Sequence, residues 1–73
     1  MTLTISEYAI LKAAMENPNG EVDINPRDHN SEEAKIAWEL ERKKYLQNSG
    51  DIFYITPYGR EALMIEEETR ARG

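Results

Sequence analysis

Asp23, Asp28 and His29 open the chemistry that this sequence could do, because an imidazole beside carboxylates in one loop can hold a metal or pass a proton. A calcium loop starting at Asp23 would need glycine at its sixth position and a bidentate glutamate at its twelfth. Asp28 and Ala34 stand there instead, so calcium fits poorly. The sequence has 1 histidine and no cysteine. That removes disulfides, thiolate nucleophiles and cysteine zinc sites. No nucleophile-and-base set converges elsewhere. We therefore expect no catalytic residues, no metal, no cofactor and no small-molecule substrate, with His29 a loop residue near a helix start.

A second kind of chemistry is phosphate contact. Lys35, Arg42 and Lys43 lie along one arc of a long helix, and Arg60 opens the last one. Such side chains reach phosphates or base edges when a helix enters a groove. Glu32 and Glu39 share the arc, with Glu33 beside Glu32 at its start, and the competing reading is a solvated face joined by intrahelical pairs. With 14 acidic and 9 basic side chains the formal charge is −5. That repels polyphosphate at long range, so DNA binding would need a local basic face.

The aromatic residues suggest protein contact. Trp38, Arg42 and Tyr45 fall at i, i+4 and i+7, the spacing of an interaction strip or of an aromatic flank on the core. A chain with 1 tryptophan in 73 residues favours the core for Trp38. Tyr54 and Tyr58, with Ile52, are candidates for the outer side of a hairpin, where they would suit a homodimer or another protein partner.

These residues need elements to position them. The length predicts one domain, residues 1–73, near the lower limit for an unstapled core. Thr4 and Glu7 have capping-box spacing, with Leu3 and Tyr8 placed as a hydrophobic staple. Tyr8, Leu11, Ala14 and Met15 form the stripe that follows, and Asn17-Pro18-Asn19-Gly20 ends the helix. Glu21 to Ile24 reads as a brief strand and Asn25 to Asn30 as a loop or at most a single helical turn. A second helix starts near Ser31, capped by Asn30 with Glu33 three residues on, and buries Ile36, Ala37, Leu40 and Trp38. Glu39 and Lys43 are spaced to pair within it.

Phe53 and Ile55 then alternate with Ile52, Tyr54 and Thr56. Leu46 to Asn48 can pair with this run across Ser49-Gly50-Asp51. Thr56 and Pro57 are a cap and a first helical residue. The last helix carries Tyr58, Ala62 and Ile65 on one stripe with Leu63 nearby, then Glu66–Arg70 and Glu68–Arg72 pairs. No stretch is long and apolar enough to span a bilayer, and the start lacks a signal-peptide layout. A soluble cytoplasmic protein is expected.

From "LERKKYLQNSGDIFYITPYGREAL" the sequence resembles the back half of a winged-helix domain of the MarR or PadR kind. In those families a recognition helix ends in a Leu-rich turn, a β-wing follows, and a "Y-x-L-T-x-x-G-x-x-x-L" signature enters a final helix. Phe53, Ile55, Thr56, Gly59 and Leu63 fill those slots, and Leu40 and Leu46 match the apolar positions before the wing. The resemblance implies an α+β winged-helix-like domain of three helices with a short two- or three-stranded β-wing. It also implies a DNA-binding, transcription-regulator-type module, acting as a homodimer or beside a partner, with Lys35, Arg42, Lys43 and Arg60 on phosphate.

The pattern is departed from in three places. Asn25 to Asn30 is too short for the first helix of a helix-turn-helix. Lys44 replaces the glycine that commonly ends the recognition helix, which would let that helix run on towards Asn48. The wing tip, Asn48 to Asp51, has no Arg or Lys. The alternative is an acidic winged helix that binds protein through Trp38, Tyr45, Tyr54 and Tyr58.

Overall fold

The Thr4 hydroxyl accepts the Glu7 N–H at 3.1 Å, and the Glu7 carboxylate accepts the Thr4 N–H at 3.0 Å. This reciprocal pair satisfies two amides that a helix start leaves open, and it begins α1 (Ile5–Glu16) where the spacing predicts. The computed structural model describes residues 3–28 and 30–72. After α1 come β1 (Glu21–Val22), α2 (Glu32–Arg42), β2 (Leu46–Ser49), β3 (Ile52–Ile55) and α3 (Pro57–Arg72). Three helices and a three-stranded antiparallel sheet make an α+β, winged-helix-like fold.

The strands run in the order β1-β3-β2, so the brief Glu21–Val22 strand adds to the far side of the wing. Leu46 faces Ile55 and Ser49 faces Ile52, while Val22 faces Phe53. Gly50 has φ +63°, as the first central residue of a two-residue hairpin turn requires. Phe53 and Ile55 point inward as their alternation demands, and Phe53 is 0% exposed. Leu11, Ala14, Ala37, Leu40, Leu46 and Leu63 surround them in one core. Ile10 and Ala34 also belong to it, though the stripes drawn from sequence omitted both.

Several boundaries differ from the sequence reading. Ser31, not Asn30, caps α2 and accepts the Ala34 N–H at 3.3 Å. The shift of one residue puts alanine where the reciprocal glutamate would stand. Among the described residues, no helix separates β1 from α2.

The end of α2 is corrected too. It stops at Arg42 instead of running towards Asn48. Lys44 takes the glycine's left-handed conformation itself, with φ +72°. The Lys44 N–H donates to Glu41 O at 3.0 Å and the Tyr45 N–H to Leu40 O at 2.9 Å. That pair of bonds is a Schellman cap, built here on a lysine.

Thr56 starts α3 as expected: its hydroxyl accepts the Gly59 N–H at 3.0 Å and donates to Lys44 O at 2.5 Å. The buried side of α3 is Gly59, Leu63 and Glu66. The Tyr58, Ala62 and Ile65 stripe therefore faces away from the core, with Tyr58 68% and Ile65 52% exposed. Gly59 is what lets the helix sit so close. A Cβ there would lie 2.2 Å from the Tyr45 carbonyl oxygen.

Candidate functional site

The outward arc of α2 places Lys35 and Arg42 in the open, but each beside a carboxylate of its own helix. Lys35 meets Glu32 at 3.6 Å and Arg42 meets Glu39 at 3.5 Å. Arg42 is thus engaged along its own helix. Lys43 leaves the arc altogether. Its ammonium reaches back to Glu7 at 2.6 Å, in place of the Glu39 pair expected from spacing. Burial pushes the Glu7 carboxyl up, but hydrogen bonds from Lys43 and Thr4 outweigh it and hold the group below its usual range. The same contact raises Lys43.

Arg60 lies on the α1 side of α3, where its guanidinium donates to the Met15 sulfur at 3.4 Å. The four cations proposed for phosphate contact are therefore not gathered on one surface. The wing tip does gain a cation from elsewhere: Arg27, in the loop before α2, meets Asp51 at 3.2 Å. His29 lies outside the described residues, so its place beside Asp28 and Asp23 is not part of this site.

Trp38 divides its roles. Its ring packs edge-on against Phe53 at 5.1 Å and its indole N–H donates to Pro26 O at 3.1 Å. At 36% exposure it closes the core and also shows a face to solvent. Tyr54 lies half-buried on the outer face of the sheet, between Glu21 and Gln47 of the neighbouring strands.

Tyr45 and Tyr58 meet at the corner between the end of α2 and the start of α3. Together with Glu61, Ala62 and Ile65 they line a shallow groove of about 170 Å3. Beyond Tyr58 a larger groove opens towards Lys44 and Gln47. Of the nine lysines and arginines, seven have a carboxylate partner among the described residues; Lys44 and Arg60 do not. Lys44 is the functional candidate that the sequence reading passed over. Its signal was present as the lysine standing where glycine ends the helix.

Compared with known proteins, the chain matches no family model, no curated protein and no solved structure. Among the described residues, no helix is long and apolar enough to cross a membrane.

Proposed function

We propose that this chain is a non-enzymatic, cytoplasmic module of winged-helix-like shape that binds a protein partner through the corner of Tyr45, Tyr58 and the outward stripe of α3. One contrast carries the reading. The cations of α2 are matched to the chain's own carboxylates, whereas Tyr58 and Ile65 stand exposed at helical spacing with nothing over them. Exposed aromatic and aliphatic side chains beside a groove are the usual anchors of protein recognition. The acidic first turn of α2, Glu32 and Glu33, would meet phosphates unfavourably at the end that normally goes deepest into DNA.

A second reading, DNA binding in the manner of MarR- or PadR-type regulators, has one observation in its favour. The pairs on Lys35 and Arg42 are exposed and loose, and such pairs contribute no more than about 1 kcal/mol. A phosphate could displace either carboxylate. The two readings separate in a mobility-shift titration with mixed duplex at about 50 mM salt, where electrostatic binding is strong. No shift is expected. A shift that collapses steeply as salt rises would replace the protein-binding reading with the DNA one. Conversely, Tyr58→Ala with Ile65→Ser should release a partner that the parent chain retains, without loss of helical signal.

A further inference from the structure

Beyond the Tyr58 ring lies a groove of about 430 Å3, walled by Glu41, Lys44, Leu46, Gln47, Pro57 and Tyr58. Two facts about its turn and one about its charge converge on Lys44 within it. Its φ of +72° is a conformation in which a side chain costs energy and glycine does not. The hydrogen bonds of the cap come from its backbone, so the turn needs nothing of a lysine. Its ammonium has no carboxylate within salt-bridge distance among the described residues, in a chain where most cations have one. The conformational cost is thus set against a charge left free at the mouth of a groove. Residues held in such conformations mark functional positions more often than chance allows.

We propose that this groove takes an extended peptide segment of the partner, with one carboxylate of that segment on the Lys44 ammonium. An apolar side chain of the segment lies over Pro57, and the Tyr58 ring forms the ridge that ends the subsite. Glu41, three residues before Lys44 in the same lining, sets the charge limit. A single carboxylate flanked by neutral residues is accepted there, while a run of phosphates is repelled. The inference rests on the protein-binding reading and specifies its ligand chemistry.

The test uses the full chain and a fluorescein-labelled pentapeptide, Ala-Leu-Glu-Leu-Ala, with its glutamine counterpart as control. Anisotropy gives the affinity, and amide shifts in two-dimensional NMR give the location. Saturable shifts are expected at Lys44, Gln47 and Tyr58, with the glutamate peptide preferred about fivefold, as one exposed ion pair permits. Lys44→Gly should lose that preference while melting at a higher temperature, and Lys44→Arg should keep it. Equal binding of both peptides to the parent chain overturns the proposal, as does an unchanged preference in Lys44→Gly. Failure of the peptide to bind anywhere overturns it too. Shifts confined to Ala62 and Ile65 would remove this groove as the site and leave the broader protein-binding reading intact. A salt-sensitive DNA shift would remove both.

Discussion

The two sides of α3 are built on opposite terms. Towards α1, polar groups are matched in chains. Glu66 accepts the Leu3 N–H at 2.7 Å and Arg70 at 3.1 Å, Glu67 takes Lys12 and the Tyr8 hydroxyl, and Arg70 lies 4.3 Å over the Tyr8 ring. The Lys12 ammonium is raised by that contact and the Glu67 carboxyl lowered by it, and the pair joins the two helices at their surface. Towards the α2–β2 corner the same helix shows Tyr58, Ile65 and, across the gap, Lys44, none of them engaged in a comparable way. A domain this short has little apolar area to spare. Ile5 and Met64 are exposed as well, but Tyr58 and Ile65 are the exposed pair that lines a groove with Tyr45.

Both sides depend on one core, and its loss sets the upper bound for every other variant. Phe53→Ala should destabilise the protein by about 4 kcal/mol, since a fully buried aromatic is replaced by a cavity under Trp38. In urea unfolding, most of the chain should already be unfolded or the midpoint should fall close to zero. A cost below about 1 kcal/mol would mean that Phe53 is not the centre of the sheet–helix packing.

Gly59→Ala comes next and bears on the corner and on Ile55 beneath it. The added methyl would meet the Tyr45 carbonyl carbon and oxygen at 3.0 and 2.2 Å, and the Ile55 side chain at 2.9 Å. Backbone cannot yield as a flexible side-chain end can, so the cost should be about 3 kcal/mol, at the upper end of overpacking. Thermal melting at equal protein concentration would measure it. A neutral substitution would show that α3 stands off from the Tyr45 carbonyl far enough to admit a methyl.

The Glu7–Lys43 pair gives a pH signature. The Glu7 carboxyl titrates below its usual range in the folded chain. Its contribution is therefore present above the ordinary carboxylate range and fades as pH falls through the lowered folded value. Lys43 works in the other sense: its folded value is raised, so its contribution holds below the ordinary lysine range and fades as pH rises through the folded value. Glu7→Gln should melt lower at neutral pH and lose less stability than the parent as pH is taken down through that acid window. Parallel curves for the two proteins would remove the pair as a contributor.

What could be read from sequence follows the range of the interaction. The Thr4 box, the Thr56 cap and the alternation of Phe53 and Ile55 each depend on neighbours a few residues apart, and all were legible. The buried side of α3 was not. Helical period draws one stripe through Tyr58, Ala62 and Ile65 and another through Gly59, Leu63 and Glu66. Apolar counting prefers the first. The second wins because a missing Cβ admits the Tyr45 backbone, and because Glu66 finds the Leu3 amide from across the chain. Lys43 was assigned to Glu39 for the same reason: its partner, Glu7, is 36 residues away. The left-handed turn at Lys44 was hidden by residue type, since glycine is the usual sign of it.

Lys44→Gly is the smaller test of the corner. Relief of the left-handed strain should stabilise the fold by about 1 kcal/mol, partly offset by the greater freedom of glycine in the unfolded chain. A gain in melting temperature together with weaker peptide binding separates a charge kept for contact from one that merely solvates the surface. If the variant melts lower instead, the lysine stem is packing against the body and the cap has been misread.

Ile65→Ser should have the smallest effect on stability and so divides the two sides of α3 most sharply. Ile65 is half in solvent, and isoleucine and serine have similar helix propensities, so the change should fall within about 0.5 kcal/mol. The equivalent loss on the inner side, at Leu63, would remove a fully covered side chain. If Ile65→Ser leaves melting untouched but releases a bound partner, the outward stripe is a contact surface. If it costs as much as a core substitution, the stripe is covered within the chain itself, and the difference between the two sides of α3 disappears.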